Sequence, residues 1–346
     1  MSRQDAFQTF INRVNAPWDQ TRVSGLTEHL RNTGRKASAA DRAELAAYLA
    51  HAAFLAPDRT AETYDAVSSA WLTRNLEAAP IEVLDQPPEP APSHLWEAFW
   101  SVVEDAADGK LDALGITQRT AALGGDMPAR FVQRVAEMSF TYPGTSQAAA
   151  GDLPAKINLE TLARQPDGSL GETFYRLIVD NKFDLEVLDR AEIGLADLPA
   201  PLDYLNTRIL QAHDLWHITA GYETTALHEI ALSAFQMAQF GHNYSAQFLA
   251  IVAAVGAISP PAGYGVLMDT VTTAWAHGRE TRPMMLIPWE EVWHKSADNI
   301  RAEFGITEYK RPHPANLIEK TAPIAAILKH VSRLLRLFSP RRSKAA

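Results

Sequence analysis

The sequence contains no cysteine among its 346 residues. This absence excludes disulfides, thiolate metal sites, cysteine-held iron–sulfur clusters and a cysteine nucleophile. Basic residues are also fewer than acidic residues, and the formal net charge is −9. This negative charge argues against a nucleic-acid-binding protein. The most apolar segment, residues 249–258, falls well short of the roughly 20 residues that a membrane-spanning helix needs.

Strand signals are scarce as well. Alternating polar and apolar patterns are almost absent, and runs of β-branched residues never reach five. Apolar residues make up 47% of the chain, and they recur mainly at helical spacing. The sequence therefore predicts an all-α protein, a multi-helix orthogonal bundle. Its first residues show no apolar run of signal-peptide length, so a cytoplasmic location is the expectation.

Composition divides the chain into four parts. Residues 1–79 form a predicted helical segment, and residues 80–92 form a predicted stiff linker because five of these thirteen residues are proline. A helical core is predicted over residues 93–312, and a basic tail follows over residues 313–346. In that tail, residues 323–338 place apolar side chains on one helix face and basic side chains largely on the other. Such a helix could lie on an anionic membrane surface or dock on a protein, and both alternatives stay open.

The residues with the clearest chemistry lie between positions 211 and 239. His213 and His217 are one helical turn apart, and Asp214 falls on the same side of the helix. Glu229 comes twelve residues after His217, which is roughly 18 Å along a straight helix. It can join the other three only if the chain turns back.

The intervening residues offer such a turn. Gly221 is a candidate helix end, and Thr224 or Thr225 is a candidate cap for a second helix. A closed hairpin would bring two imidazoles and two carboxylates together, a donor set suited to zinc or another divalent first-row metal. The alternative is a pair of core histidines whose hydrogen bonds are satisfied by neighbouring side chains. The pattern thus predicts a helix-turn-helix metal site.

The spacing of these residues also resembles a known signature. His213-Asp214-x-x-His217, followed after eleven residues by Glu229, resembles the signature of the coenzyme Q biosynthesis protein 4 family. Further segments are similar to the C-terminal blocks of that family in order and spacing, namely residues 274–283, the cluster Trp289-Glu290-Glu291 and residues 301–306. The resemblance covers roughly residues 158–306. The N-terminal 150 residues and the basic tail lie outside it.

The resemblance implies a fold, a site and a pathway. It implies an all-α fold in which the signature residues ligate a divalent metal, zinc first and iron or manganese next, and form the catalytic site. It implies action on polyprenylated hydroxybenzoate precursors of ubiquinone, with the C1 carboxyl replaced by hydroxyl. The alternative that it carries is a non-catalytic scaffold or lipid carrier for the other enzymes of ubiquinone biosynthesis. We also expect a homodimer. We expect it to lie on the inner face of the membrane as a peripheral protein, held there by the basic tail.

Several other residues are candidates for supporting roles. His228 and Glu223 could orient a ligand or act as a general base, although a structural hydrogen bond is favoured for His228. The small-residue helix at residues 248–258 could line a polyprenyl groove, with ordinary helix packing as its alternative. Four methionines are candidate groove walls, and two arginines are candidate partners for a carboxylate near the metal: Met237, Met268, Met284, Met285, Arg279 and Arg282. The sequence contains no His-Glu-x-x-His or Gly-x-Ser-x-Gly motif. It therefore gives no specific support to an unrelated protease or esterase.

Overall fold

A computed structural model describes residues 3–181 and 195–320 of the chain. Over these two ranges the regular elements are helices and no strand occurs, so the predicted all-α class is confirmed. The α-helices in chain order are α1 (Arg3–Val14), α2 (Gln20–Thr33), α3 (Ala39–Phe54), α4 (Thr60–Leu72), α5 (Leu95–Ala107), α6 (Ala113–Gly125), α7 (Ala129–Ser139), α8 (Thr145–Ala148), α9 (Leu159–Ala163), α10 (Leu170–Asn181), α11 (Leu202–Ala220), α12 (Ala226–Phe240), α13 (Asn243–Ile258), α14 (Ala262–Glu280), α15 (Ala297–Phe304) and α16 (Leu317–Lys320). Short 3-10 helices cover Gly34–Lys36, Pro57–Arg59, Leu195–Asp197, Met284–Leu286 and Trp289–Glu291.

Local capping signals explain some helix starts and fail at others. Helix α3 begins after Ser38, whose side chain accepts a hydrogen bond from the Asp41 amide, while the Asp41 carboxylate accepts one from the Ser38 amide. The hydroxyl of Ser93 does not cap α5. That helix starts after His94, and the Leu95 amide donates to the carbonyl of Pro92 instead of to a side chain.

The most extensive helix–helix contact joins α3 in the N-terminal part to α13 in the C-terminal part. Both helices are rich in buried alanine, and small side chains let two helices approach closely. Arg42 of α3 also donates two hydrogen bonds, of 3.1 and 2.8 Å, to the carbonyl of Ala257 near the end of α13. The small residues of α13 therefore pack mainly on α3. This is the ordinary helix packing that was the alternative to a polyprenyl groove at residues 248–258.

The proline-rich segment, residues 80–92, contains no helix or strand and is fastened to the body of the protein. The Arg134 guanidinium on α7 donates to the backbone carbonyls of Gln86 and Pro87 and pairs with Asp58. The Glu89 amide donates to the carbonyl of Leu55 at 2.8 Å. One hydrophobic core contains residues from both sides of this segment.

Aromatic packing fixes the first helix against the fifth. Phe10 of α1 stacks on Phe99 of α5, with ring centroids 5.1 Å apart and an interplanar angle of 13°. Trp96 and Trp100 surround the same ring, and Phe54 of α3 meets Trp96 edge to face. The aromatic side chains of α5 therefore belong to the core.

Among the described residues, no helix has the length and apolar character required to cross a membrane. The predicted basic amphipathic helix at residues 323–338 lies outside the described residues. Its role at a membrane surface stays a prediction.

Candidate metal centre

The turn between α11 and α12 returns the chain as the sequence predicts. Helix α11 ends at Gly221, which adopts a left-handed conformation with φ of 79° and donates its amide to the carbonyl of His217. Glycine adopts this conformation without the steric penalty of a Cβ. Helix α12 begins after Thr225, whose hydroxyl donates to the carbonyl of Ala315 and does not cap the helix.

This hairpin brings the four predicted site residues together. The Glu229 carboxylate faces both histidines: its Oε2 lies 3.5 Å from His213 Nε2 and its Oε1 lies 3.4 Å from His217 Nε2. One ligand atom each of His213, Asp214 and His217 lie within 4.8 Å of one another. The turn thus brings Glu229 close to the two histidines in space, and each oxygen of its carboxylate faces one imidazole.

Both imidazoles are oriented through their second nitrogen. His217 Nδ1 lies 3.0 Å from the carbonyl of Tyr222, so it is the protonated nitrogen and leaves the lone pair on Nε2. That Nε2 atom is buried and makes no hydrogen bond within the described part of the chain. His213 Nδ1 lies 3.0 Å from Asp214 Oδ1. Metal-binding histidines characteristically donate their other nitrogen to a carbonyl or carboxylate in this way.

The distances in the cluster fit a divalent ion. A charge-assisted N–H···O hydrogen bond measures about 2.7–2.9 Å, whereas these nitrogen–oxygen pairs are 3.4 and 3.5 Å apart. Two ligands at about 2.0–2.1 Å from one tetrahedral zinc ion lie roughly 3.3–3.4 Å from each other. Each histidine therefore lies at the separation from one Glu229 oxygen that two ligands of one ion would have, and the metal site itself stays a prediction. Asp214 is held on His213 Nδ1, and its role as a direct ligand stays a prediction.

Without a cation, the charges of the cluster compensate one another. Burial raises the pKa of Glu229, but His217 and His213 outweigh burial and hold that pKa below its usual range. Burial likewise lowers the pKa of His213, but hydrogen bonds to Asp214 and Glu229 outweigh it and raise the pKa to about 10. A proton on His213 thus offsets the negative carboxylates, and a metal ion would have to displace it.

A second group of aromatic side chains holds the turn from the other side. The Tyr222 ring stacks on Tyr309, with centroids 4.6 Å apart, and its hydroxyl donates to His277 Nδ1 at 2.8 Å. His277 Nε2 donates in turn to the carbonyl of Thr307 at 2.7 Å. Sequence reasoning did not identify these residues as a group, because their positions span nearly ninety residues and only the fold joins them.

The remaining candidates for supporting roles lie away from the cluster. His228 Nδ1 accepts a hydrogen bond from the Glu223 amide at 2.7 Å, which is the structural role favoured for it. The Glu223 carboxylate pairs with Arg311, so it is not oriented as a general base. Arg279 binds both oxygens of Asp65 at 3.0 and 3.1 Å, and therefore does not pair with a carboxylate of the cluster. Arg282 is exposed.

A cavity of about 310 Å³ lies between α6, α7, α11 and the start of α13. Its walls include Phe131 and Val135 from α7, Leu205 and Ile209 from α11, and His242 and Gln247 beside and on α13. The methionines named as candidate groove walls lie elsewhere. All four methionines are buried in the core, and none of them lines this cavity.

Residues 154–310 match the model of a protein family that is described as coenzyme Q (ubiquinone) biosynthesis protein Coq4. The chain is 29% identical over 154 residues to a ubiquinone biosynthesis protein COQ4 homolog, mitochondrial, of Danio rerio, covering 44% of this chain and 54% of that protein. It is 30% identical over 156 residues to ubiquinone biosynthesis protein COQ4, mitochondrial, of Eremothecium gossypii, covering 43% and 45%. The chain thus spans about half the length of these curated relatives.

A solved structure is also similar. It is the crystal structure of a candidate ubiquinone biosynthesis protein from Nostoc punctiforme, with a TM-score of 0.47 and 22% identity over 61% of this chain and 96% of that one. The four site residues all lie within the family match, whereas helices α1 to α8 lie before it.

Proposed function

This chain belongs through its residues 154–310 to the coenzyme Q (ubiquinone) biosynthesis protein Coq4 family, and on that premise we propose that it acts in ubiquinone biosynthesis. The proposed activity is the metal-dependent replacement of the C1 carboxyl by hydroxyl on a polyprenylated hydroxybenzoate. The observation that carries the proposal is the position of the Glu229 carboxylate, which faces the Nε2 atoms of His213 and His217 at 3.5 and 3.4 Å.

His213, Asp214, His217 and Glu229 are the residues that would hold the ion, with zinc favoured by the donor set and iron or manganese as alternatives. A bound divalent ion supplies a Lewis acid that stabilises negative charge on a ring oxygen or carboxylate. The protein contributes orientation: the Tyr222 carbonyl fixes His217, and Asp214 fixes His213. The partly exposed His213 side chain, 33% accessible, leaves the cluster open on one side.

The proposed reaction is an oxidation, because replacing an aryl carboxyl by hydroxyl removes two electrons from the ring compound. We propose dioxygen as the acceptor. The balanced change consumes the aromatic acid, water and dioxygen, and it releases the phenol, carbon dioxide and hydrogen peroxide. The aryl–carboxyl bond breaks, and an aryl–oxygen bond forms at the same carbon.

The proposed substrate carries a long apolar chain, so we place the protein at a membrane surface. The basic tail at residues 313–346 is the proposed contact, peripheral on the inner face of the membrane. Other proteins of ubiquinone biosynthesis and a second copy of this chain are the proposed partners.

The test compares variants in a strain whose own copy of this protein is deleted. His217→Ala removes the buried ligand, and His294→Ala is the matched control because His294 is exposed and outside the cluster. We expect purified His217→Ala to lose its metal, and cells carrying it to accumulate a polyprenylated precursor that keeps its carboxyl group. His294→Ala should behave as wild type in both measurements.

Two results would overturn parts of this proposal. Restored ubiquinone synthesis by His217→Ala, with deletion still blocking it, would establish the non-catalytic scaffold or lipid carrier. Accumulation of a precursor that lacks the carboxyl group would refute the proposed reaction while leaving the pathway in place.

A further inference from the structure

The cavity beside the metal centre is built from two parts of the chain. Helix α11 contributes Leu205 and Ile209 from inside the family match. Helix α7 contributes Phe131 and Val135, which come before the family match begins. The N-terminal part, residues 3–153, thus supplies one wall of a mainly apolar cavity.

One helical turn of α11 separates this cavity from the candidate metal centre, and none of the four site residues lines the cavity. Ile209 lines it, and His213 follows Ile209 by four residues on α11, which is one turn or about 6 Å along the same helix face. His242 at the other wall is electrostatically coupled to His213: burial and the charge of His213 lower the pKa of His242 to about 4. His242 is therefore neutral at physiological pH.

The hydrogen bonds of His242 define which of its nitrogens is free. Its Nδ1 lies 2.9 Å from the Ser245 hydroxyl, and that hydroxyl donates its single hydrogen to Gln236 Oε1 at 3.4 Å. With the Ser245 hydroxyl directed at Gln236, His242 Nδ1 is the donor of the 2.9 Å hydrogen bond, and its Nε2 is then an acceptor. Within the described ranges this Nε2 makes no hydrogen bond and is free to accept one. The neighbouring Asn243 also lines the cavity, and its buried Oδ1 lacks a donor there.

The size of the cavity limits what can enter. An apolar cavity of about 150 Å³ accepts a benzene molecule, and this cavity measures about 310 Å³. It has room for one aromatic ring and about as much again in substituents. A complete polyprenyl chain is too long for it and would have to leave the cavity after its first few carbons.

We propose that this cavity binds a hydroxylated aromatic ring, with His242 Nε2 accepting the hydrogen bond of the ring hydroxyl and α7 closing over the ring. The inference rests on the proposed function, because such a ring is the head group of the proposed substrate. It assigns specificity to residues outside the four-residue signature. It also gives the N-terminal part a role in ligand binding.

The experiment uses the full chain and two probes that differ in whether the ring oxygen carries a hydrogen or a methyl group. 4-Propylphenol offers a donor, whereas its methyl ether, 4-propylanisole, offers none, and both are measured by isothermal titration calorimetry. Wild type should bind the phenol about tenfold more tightly than the ether, since an unpaired acceptor is left with the ether. His242→Leu should bind the two probes within about twofold of each other, while His294→Leu keeps the wild-type ratio.

A second pair of variants tests the position of the ring. Val135→Trp fills the cavity and should abolish measurable binding of 4-propylphenol. Val179→Trp, at an exposed valine on α10, should leave binding unchanged. Circular dichroism and metal content, measured on every variant, show whether the fold and the metal centre are intact.

The outcomes separate this inference from the proposed function. Equal affinity of wild type for the two probes, or full phenol binding by a folded Val135→Trp, would overturn the cavity assignment. If metal content and ubiquinone synthesis persist in those same proteins, the proposed function stands alone. Loss of the phenol preference in His242→Leu, with metal content unchanged, supports the inference.

Discussion

Breaking the ion pair between Arg134 and Asp58 tests how α7 is held to the turn before α4 and to the proline-rich segment. The two side chains are 1% and 0% exposed. Arg134 binds Asp58 Oδ1 through two nitrogens, and it also donates to the carbonyls of Gln86 and Pro87. This one guanidinium therefore joins α7, the turn before α4 and the proline-rich segment.

Arg134→Met should lower the free energy of unfolding by about 3–5 kcal/mol, because the Asp58 charge would stay buried without a partner. The double variant Arg134→Met with Asp58→Leu removes that charge as well. It should recover about 2 kcal/mol of the loss, since replacing both members of a buried pair by apolar groups is often neutral or stabilising. The recovery is incomplete because the carbonyls of Gln86 and Pro87 still lose their donor.

Urea denaturation followed by tryptophan fluorescence measures these differences. Arg22→Met is the control, because it breaks the ion pair between Glu44 and Arg22, a side chain that is 55% exposed. It should lower the free energy of unfolding by no more than about 1 kcal/mol. A loss below about 1 kcal/mol in Arg134→Met would refute the reasoning, and so would a double variant less stable than the single one.

Three further predictions concern the metal centre, the core and the tail. In metal-free protein, burial lowers the pKa of His213, but hydrogen bonds to Asp214 and Glu229 outweigh burial and raise that pKa to about 10. The charge of protonated His213 therefore stabilises the fold fully below about pH 6.5, and this contribution is lost as the pH rises through 10. The urea midpoint should fall over that interval, and a flat profile would contradict the assignment. Gly278→Ala should cost about 1–3 kcal/mol, because its Cβ would lie 2.8 Å from the Phe235 carbonyl oxygen. Gly25→Ala, with open space around it, should instead stabilise by about 0.5–1 kcal/mol in the same urea assay. Deleting the residues after Glu319 should weaken binding to anionic liposomes in a sedimentation assay, and unchanged binding would favour a tail that docks on protein.

Local signals in the sequence were sufficient for much of the helical framework. The Gly221 helix end depends on residues within one turn of the chain, so it was predicted and is observed. The cap of α12 was predicted less well, because the helix begins after Thr225 but the Thr225 hydroxyl donates to the carbonyl of Ala315. Propensity identifies a suitable cap but does not say which group will be used.

The sequence by itself determined the four candidate ligands and the family resemblance, because a signature of fixed spacing can be recognised without knowledge of the fold. Tertiary structure decided the rest of the site. Arg279 binds Asp65 in the N-terminal part instead of a metal-site carboxylate, and His242 lines a cavity walled by Phe131 and Ile209. These partners are separated by tens to hundreds of residues, and helical periodicity carries no information over such distances. A cavity exists only where distant helices fail to fill the space between them.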